Sequence, residues 1–326
     1  MQAGLLQTAV GNTPLIKIKS LSDSTACEIW GKAEFLNPGG SVKDRAALGI
    51  LKEAQDQGQL QPGTVIYDGT AGNTGIGLAT LAAQMGFKTK LVLPEGLAIE
   101  KYQTLEALGA EVVKVKLVPF ADQNHFYHTA RRLAEADLKG FWANQFENLA
   151  NFRIHFSTTG PEIWEQSAGT ITDFCAAMGT GGTFSGVSRF LKEKNPKIKT
   201  TLADPMGSGL YQFVKNGEIK TEGSSVTEGI GIMRLTANFK EAVIDDALKI
   251  TDQEMIDMLY HLAKYEGLLV GTSAALNACA AWKIAKAGKG RKIATILCDG
   301  ALRYQSKIFN PDWLKQQNLI PKPLIL

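Results

Sequence analysis

The sequence predicts an α/β fold in which open, mostly parallel sheets are covered by helices. Short apolar strands alternate with helices along most of the 326 residues, with short joints between them. The strands are apolar along nearly their whole length, as expected of strands that are buried on both faces. Glycine-rich turns stand between several strands and the helices that follow, which is typical of parallel βα units.

This alternation can be followed in chain order. Strands are predicted at residues 65–67, 91–93, 112–115, 141–143, 174–178, 200–203, 268–270 and 293–297. Helices are predicted at residues 75–85, 99–108, 125–136, 184–194, 251–265 and 274–287, and the run up to residue 164 is mostly helical. Thr251 and Glu254 form a capping box at the start of one helix. Residues 207–238 are rich in glycine and predict an irregular loop over a site.

Composition and charge exclude several classes of protein. Hydrophobic residues make up 44% of the chain and charged residues 21%, which is ordinary for a globular protein with a substantial core. The net charge of +3 is too small to indicate nucleic acid or an anionic membrane as a partner. No apolar stretch approaches the roughly 18 residues that a membrane span needs. The first residues lack a basic flank before a long apolar core, so no secretory signal is expected.

The cysteines predict a reduced, cytoplasmic setting. Four of them, Cys27, Cys175, Cys279 and Cys298, lie far apart and form no Cys-x-x-Cys pair. We therefore expect neither a metal site nor a disulfide framework. Three of the four stand in apolar runs, which favours packing in the core.

Residues 37–45, Asn-Pro-Gly-Gly-Ser-Val-Lys-Asp-Arg, place a lysine at the start of a predicted helix. The proline and glycines bend the backbone, Ser41 is a candidate N-cap, and Asp44 suits the first turn. The helix dipole disfavours a positive charge at Lys43. A lysine that loses its charge becomes a nucleophile or forms a Schiff base. The local pattern leaves two interpretations open, a catalytic lysine and an ordinary exposed one.

A glycine-rich turn between a predicted strand and a predicted helix is a candidate phosphate site. This turn, the phosphate cup, consists of Gly179, Thr180, Gly181, Gly182 and Thr183. Its backbone N–H groups, its two hydroxyls and the following helix N-terminus suit an anion. It matches neither the P-loop nor the Gly-x-Gly-x-x-Gly pattern, so a nucleotide is not favoured. The alternative is a tight turn whose glycines serve packing alone.

Two more turns follow predicted strands. Residues 69–75, the carboxylate loop, combine hydroxyls, an amide and backbone N–H groups at a helix start, which suits a carboxylate or simply caps the helix. Residues 271–275 contain Ser273, by default an ordinary N-cap. A lysine amine, a phosphate cup and a carboxylate loop on one sheet together indicate pyridoxal phosphate bound as a Schiff base, with an amino acid as substrate.

With these motifs the chain resembles the fold-type II pyridoxal-phosphate enzymes of the cysteine synthase (O-acetylserine sulfhydrylase) and cystathionine β-synthase family. The matching stretches are residues 11–15, 37–45, 69–77, 144–146, 158–164, 179–183, 228–231 and 271–275. They span nearly the whole chain and favour the catalytic interpretation of Lys43. The resemblance implies a tryptophan-synthase-β-like fold of two lobes. Residues 39–147 would form a smaller, mobile lobe for the substrate carboxylate, and residues 1–38 with 148–326 a larger lobe for the cofactor phosphate.

The resemblance also implies a role for each candidate site residue. Lys43 would hold the cofactor as a Schiff base and later move the substrate α-proton. Asn73 would bond the ring hydroxyl oxygen, the phosphate cup would bind the phosphate, and Ser273 would face the pyridine nitrogen. The substrate carboxylate would be surrounded by Thr70, Ala71, Gly72, Thr74 and Gln145, and residues 228–231 would line the mouth of the site.

The implied reaction is a β-replacement on an activated L-serine through an aminoacrylate intermediate. Cysteine synthase activity, with O-acetyl-L-serine and sulfide as substrates, is the expected function. Cystathionine formation or the use of O-phosphoserine is the alternative, and a dehydratase and a non-catalytic binding protein are the rivals. A serine beside the pyridine nitrogen cannot stabilise a fully protonated ring, which favours rapid loss of a β-leaving group. The resemblance further implies a homodimer and serine acetyltransferase as a candidate partner.

Three positions depart from the expected pattern. Ala71 stands where many cysteine synthases carry serine, so one hydroxyl contact to the substrate carboxylate would be missing. Asp299 follows Cys298 where serine is common, and we hypothesise that it approaches the pyridine ring and alters its protonation. Arg234, beside the mouth, is either a contact for an anionic leaving group such as phosphate or a surface arginine.

Overall fold

The computed structural model describes residues 6–325. Residues 1–5, on which the expectation about a secretory signal mostly depends, lie outside the described residues. The strands in chain order are β1 (Leu15–Lys17), β2 (Glu28–Ala33), β3 (Val65–Gly69), β4 (Lys88–Pro94), β5 (Glu111–Val115), β6 (Gly140–Trp142), β7 (Asp173–Ala176), β8 (Lys199–Pro205), β9 (Asp246–Ile250) and β10 (Lys292–Leu297).

Helices follow most of these strands. The α-helices are α1 (Lys19–Asp23), α2 (Lys43–Asp56), α3 (Asn73–Met85), α4 (Ile99–Ala107), α5 (Phe126–Ala136), α6 (Ala150–Ile154), α7 (Gly160–Gln166), α8 (Gly182–Lys194), α9 (Leu210–Asn216), α10 (Ala237–Lys240), α11 (Asp252–His261), α12 (Thr272–Lys286) and α13 (Pro311–Gln316). A π-helical turn, His155–Thr159, joins α6 to α7, and another, Leu262–Glu266, extends α11. Single 3-10 turns occupy Leu6–Ala9, Glu34–Leu36 and Ala301–Arg303.

The strands form two sheets. The larger sheet has the order β1-β2-β10-β7-β8-β9, and its neighbours are parallel except for the antiparallel pair of β1 and β2. The smaller sheet has the order β5-β4-β3-β6 and is parallel throughout. The predicted class, α/β with mostly parallel sheets covered by helices, is therefore confirmed.

Apolar clusters lie on both faces of the larger sheet and against the smaller one. Leu259 of α11 and Leu276 of α12 belong to the first cluster. Phe184 of α8 belongs to the second, on the opposite face. Ile50 of α2 and Leu78 of α3 pack in the third, against the smaller sheet. Burial on two faces explains why the central strands are almost continuously apolar.

One predicted strand is wrong. Residues 268–270 make only an isolated bridge, from Val270 to Gly300, and Leu269 is 60% exposed. The run is apolar enough for a strand, but the nearby strand β10 already has β2 and β7 on its two edges. A strand needs a free edge to pair with, and sequence alone does not say which edges remain free.

Several elements were not predicted. The strands β1, β2 and β9 lie outside the predicted strands, and α9 interrupts the segment 207–238 that was expected to be irregular. Strand β2 was not predicted because it contains charged residues, which are unusual in a buried strand. One of them, Lys32, is fully buried and pairs with Glu162 at 2.6 Å. The capping box of Thr251 and Glu254 at the start of α11 is confirmed.

All four cysteines are free thiols; Cys27, Cys175 and Cys279 are buried, and Cys298 is partly exposed. Within residues 6–325, no group of three or more histidine, cysteine or acidic side chains is arranged to hold a metal ion. In the same part of the chain, no helix has the length and apolarity needed to cross a membrane.

A buried ion network connects α2 to β2 and α7. The Arg45 guanidinium is 1% exposed and donates to Glu34 at 2.8 Å and to Glu162 at 2.7 Å. The Glu34 side chain is fully buried. Arg45 and Lys32 hold the pKa of Glu162 at about 2, against the effect of its burial. The network fixes α2, and with it the lysine at its first position, against the larger sheet.

We expect Arg45→Met to lower the free energy of unfolding by about 3–5 kcal/mol, because it leaves Glu34 charged and buried without its ion-pair partner, with hydrogen bonds from Thr13 and Asn37 remaining. Urea-induced unfolding measures this loss. Arg153→Met is the matched control, since Arg153 is half-exposed and pairs with Glu53 at the surface; it should cost less than about 1 kcal/mol. If the two variants lost equal free energies of unfolding, burial of the Arg45 ion pairs would not explain their contribution to stability.

Candidate active site

One cavity of about 490 Å³ lies where the carboxyl ends of strands from both sheets meet. In parallel sheets this edge collects the loops that bind ligands. All the predicted site residues except Gly72 and Gly182 line the cavity: Lys43, Thr70, Ala71, Asn73, Thr74, Gln145, Gly179, Thr180, Gly181, Thr183 and Ser273. Residues 228–231 are also part of its wall, at the place predicted for the mouth.

Lys43 is the first residue of α2, and its amine makes no hydrogen bond or ion pair with any residue in the range 6–325. Burial lowers the pKa of Lys43, and the nearby charge of Lys101 lowers it further, against the opposing effects of Cys298 and Asp299. Burial is the largest of these effects on the pKa of Lys43. The N-cap is Val42 and not Ser41, although the Ser41 hydroxyl accepts from the Lys43 N–H at 3.3 Å.

The phosphate cup presents backbone donors at the start of α8. None of the N–H groups of residues 179–183 donates to another described residue. Gly181 has a φ of +96°, and a Cβ added at Gly179 would lie 2.2 Å from the Gly229 carbonyl oxygen. Asn151 donates to the Thr180 hydroxyl oxygen at 2.9 Å, which leaves that hydroxyl's proton for a ligand. These free donors fit a phosphate.

His155 supports the phosphate cup from behind and was missed by the sequence analysis. Its Nε2 lies 3.1 Å from the Thr183 hydroxyl, and its Nδ1 lies 2.8 Å from the Thr159 hydroxyl. Burial holds the pKa of His155 well below its usual value, so the ring is neutral. When Nε2 carries the proton, it donates to Thr183, whose own proton remains free for a ligand. A lone histidine in a helical run gives no sequence signal for such a role.

The carboxylate loop turns into α3 at Gly72, which has a φ of +119°. The backbone N–H groups of Ala71, Asn73 and Thr74 donate to no described residue. Thr70 accepts from the Gly72 N–H at 3.0 Å through its hydroxyl oxygen, which leaves the hydroxyl proton free. The loop therefore offers several donors to one anion at a helix N-terminus, as a carboxylate requires.

Gln145 holds this loop in place. Its amide nitrogen donates to Asp68 at 2.6 Å and to the Gly69 carbonyl at 3.0 Å, and its oxygen accepts from the Thr74 hydroxyl. In this arrangement neither N–H of Gln145 is free for a substrate carboxylate. Burial raises the pKa of Asp68 to about 7. Asp68 was not among the predicted residues, because it lies at the end of a strand rather than in the loop.

Ser273 is the second residue of α12, whose N-cap is Gly271, so the default prediction of Ser273 as N-cap is wrong. Cys298 lines the same cavity, and burial raises the pKa of its thiol to about 11. The neighbouring Asp299 carboxylate is hydrogen-bonded to Asn73 and Tyr304, each at 2.6 Å. Cys298, and not Asp299, therefore lines the cavity beside Lys43 and Ser273.

Arg234 is engaged away from the cavity. Its guanidinium lies 4.3 Å from the centroid of Phe120 and 4.8 Å from that of Tyr127, and it pairs with Glu147. The aromatic rings stack on the planar faces of the Arg234 guanidinium, and Glu147 pairs with its N–H groups. Arg234 is therefore neither a free surface arginine nor a residue that lines the cavity. Ala71, by contrast, lines the cavity as predicted.

A charged cluster at the mouth was only partly foreseen. Glu228 pairs with Lys101 at 2.6 Å and with Lys307 at 2.5 Å, and it accepts from the Ala98 N–H at 3.1 Å. Lys101 is 1% exposed and lies behind Gly72, where its Cδ would be 2.6 Å from an added Cβ. The cluster connects α4 to the loop that carries Glu228. The two lysines are far apart in sequence, and nothing near them indicates the shared carboxylate.

Several known proteins are similar to this chain over most of its length. A family model described as pyridoxal-phosphate dependent enzyme matches residues 6–299. Cysteine synthase 1 of Neurospora crassa is 48% identical, over 97% of this chain and 85% of that protein. The cysteine synthase of Dictyostelium discoideum is 45% identical, over 97% of this chain and 86% of its own length.

A solved structure is similar over nearly its whole length. The O-acetylserine dependent cystathionine beta-synthase from Helicobacter pylori superposes with a TM-score of 0.85 at 36% identity, covering 94% of this chain and 98% of that one. The similarity therefore extends to the fold as well as to the sequence.

We expect Lys43→Met to stabilise the cofactor-free protein, because the variant no longer buries an amine that prefers water. The folded-state pKa of Lys43 is lowered, so the penalty is largest below that pKa and disappears as the pH approaches the unfolded value of about 10.4. The midpoint of urea unfolding, measured from pH 6 to pH 10, should favour the variant at low pH and converge at high pH. Lys52→Met, on the exposed face of the same helix, is the control and should show no such trend.

We also expect Arg234→Ala to leave the preference between O-phosphoserine and O-acetylserine within about threefold of that of the unmodified protein, because the guanidinium is held by Glu147 and three aromatic rings. The ratio of kcat/KM for the two substrates measures this preference. A selective loss of activity with O-phosphoserine would show that Arg234 reaches the leaving group.

Proposed function

The chain belongs to the family of pyridoxal-phosphate dependent enzymes, and we propose that it is a cysteine synthase. The reaction replaces the acetoxy group of O-acetyl-L-serine by sulfide and releases L-cysteine and acetate. One observation carries the proposal: the unpartnered Lys43 amine lines the same cavity as a phosphate cup and a carboxylate loop. The cysteine synthases of two organisms are 45% and 48% identical to this chain over most of its length.

The residues present fit pyridoxal phosphate. The free N–H groups of the phosphate cup suit its phosphate, and glycine is required there because a Cβ at Gly179 would meet a carbonyl oxygen at 2.2 Å. Asn73 would hold the ring hydroxyl oxygen, and Ser273 would face the pyridine nitrogen. When bound, the cofactor supplies an electron-withdrawing ring that acidifies the α-proton of an amino acid. Ser273 carries no charge, so it does not hold a proton on the pyridine nitrogen.

Lys43 would bind the cofactor and later act as the base. Its lowered pKa favours the neutral form of the freed amine, in which Nζ can accept the α-proton of the substrate. The substrate carboxylate would bind the N–H groups of Ala71, Asn73 and Thr74 together with the Thr70 hydroxyl. Backbone donors then replace the hydroxyl that Ala71 lacks. This contact would orient the α-hydrogen towards Lys43, since both groups line one cavity.

We propose two lobes with the boundaries given by the resemblance, residues 39–147 and the remainder of the chain. The separate sheet of β3 to β6, which carries the carboxylate loop, supports this division. Closure of the smaller lobe over a bound substrate would exclude water. The Glu228 cluster lies across the proposed boundary, because Lys101 of α4 belongs to the smaller lobe, whereas Glu228 and Lys307 belong to the larger one.

We further propose that the chain is a homodimer in the cytoplasm and a partner of serine acetyltransferase. The four free cysteines support the reducing compartment. The dimer and the partner rest on the family resemblance. Light scattering coupled to size-exclusion chromatography, with and without a serine acetyltransferase, tests both.

The purified protein loaded with pyridoxal phosphate should form cysteine from O-acetylserine and sulfide. We expect Lys43→Ala to lower kcat at least about 10²–10⁴-fold, because it removes both the attachment point and the base. Lys52→Ala, on the same helix, is the control and should keep full activity. Cysteine is measured directly after the reaction is stopped.

The identity of the nucleophile that replaces the leaving group is tested in the same assay. Sulfide, homocysteine and thiosulfate are each added with O-acetylserine, O-phosphoserine or serine as the first substrate. The proposal predicts the highest kcat/KM for O-acetylserine with sulfide. A higher value with homocysteine would instead indicate a cystathionine β-synthase.

A further inference from the structure

The amide of Asn73 is held by two charged side chains. Its Oδ1 accepts from Arg303 Nη1 at 2.6 Å, and its Nδ2 donates to Asp299 Oδ2 at 2.6 Å. A flipped amide would set its oxygen against the carboxylate and its nitrogen against the guanidinium. Both charge-assisted hydrogen bonds would then be lost, so the charges determine the orientation of Asn73.

The Asp299 carboxylate is itself fixed. The residue is fully buried, and the Tyr304 hydroxyl donates to the same oxygen, Oδ2, at 2.6 Å. Its backbone carbonyl accepts from the Gly271 N–H at 3.0 Å, and its backbone forms a bridge with Ser41. A Cβ added at Gly271 would lie 2.2 Å from Asp299 Oδ1, so the carboxylate packs directly against that glycine. Asn73 therefore donates its hydrogen bond to a carboxylate whose position is fixed by the surrounding structure.

One donor of Asn73 remains for a ligand. An amide nitrogen has two hydrogens, and Asp299 accepts only one of them. Asn73 lines the cavity, whereas neither Asp299 nor Arg303 does. The hydrogen bond from Asn73 to the negatively charged Asp299 is also stronger in a cavity of low dielectric than in water, so it holds the orientation of the amide more firmly. The arrangement presents a donor, and not an acceptor, to whatever fills this side of the cavity.

We propose that Asp299 and Arg303 are positioning residues for the cofactor, holding the Asn73 amide so that its free N–H donates to the ring hydroxyl oxygen of pyridoxal phosphate. This inference rests on the proposed function. It assigns Asp299 to the hydroxyl side of the ring, in place of the pyridine side suggested by the sequence. It also explains why a carboxylate and a guanidinium flank one neutral amide.

A double-mutant cycle tests the proposal. Asn73→Ala, Asp299→Ala and the double variant are prepared without cofactor, and their affinity for pyridoxal phosphate is measured by absorbance titration. We expect Asp299→Ala to weaken binding roughly 10-fold to 100-fold, as for the loss of a hydrogen bond to a charged group. In the Asn73→Ala background the same substitution should change affinity less than about twofold. Effects that multiply independently in the two backgrounds would overturn the proposal.

The absorbance of the bound cofactor gives a second readout. Removing the donor at the ring hydroxyl should shift the visible band and its pH dependence in Asn73→Ala, Asp299→Ala and Arg303→Met alike. Arg303→Met removes the other hydrogen bond that orients the amide and leaves Asp299 intact, so it should shift the band in the same direction even if Asp299→Ala folds poorly. An unshifted band in Arg303→Met would overturn the proposal.

Arg153→Met is the control, matched to Arg303→Met. Arg153 pairs with Glu53 at the surface and contacts neither Asn73 nor Asp299, so affinity should stay within about threefold and the band should not move. A shift equal to that of Asp299→Ala would overturn the proposal. If the unmodified protein bound no pyridoxal phosphate, the proposed function itself would fail. If the unmodified protein bound pyridoxal phosphate but the Asn73 and Asp299 substitutions affected the affinity independently, only the proposed role of Asp299 and Arg303 would be overturned.

Discussion

The chemistry proposed for this molecule depends on one amine, which lines the cavity without a hydrogen-bond or ion-pair partner among residues 6–325. Lys43 lies at the first position of α2, which the Arg45 network holds against the larger sheet. Burial favours the neutral amine, and a neutral amine is what both imine formation and proton transfer need. The surrounding loops matter because they bring the proposed phosphate and carboxylate sites to the same cavity as that amine.

Backbone groups supply most of the donors in this cavity. The phosphate cup and the carboxylate loop each end a parallel strand and start a helix, so their N–H groups have no partner within the helix. Glycine makes these turns feasible, with a φ of +119° at Gly72 and of +96° at Gly181. Side chains such as His155 and Gln145 then hold the loops in shape. Such an arrangement tolerates alanine at position 71, because the backbone still donates.

The charged residues near the cavity are held by other protein side chains. Arg234 is held by Glu147 and three rings, Asp299 by Asn73 and Tyr304, and Lys101 by Glu228. Arg234 and Asp299 had been open to several interpretations from their places in the sequence. A charge inside a protein acts on whatever lies within a few ångströms, and those partners come from distant parts of the chain. Sequence position therefore could not decide their roles.

The sequence alone determined the fold class, the glycine-rich turns and the lysine, because each is encoded by residues adjacent in the chain. The capping box at Thr251 and most of the apolar strands are local signals, and these were predicted correctly. Pairing was decided only by the tertiary structure, which left residues 268–270 without a strand partner and gave β2 a central place. The same holds for Gln145, whose donors are taken by Asp68 and Gly69, and for Asp299, whose carboxylate turns to Asn73. Hydrogen-bond partners depend on which elements meet in space, and that information is not local in sequence.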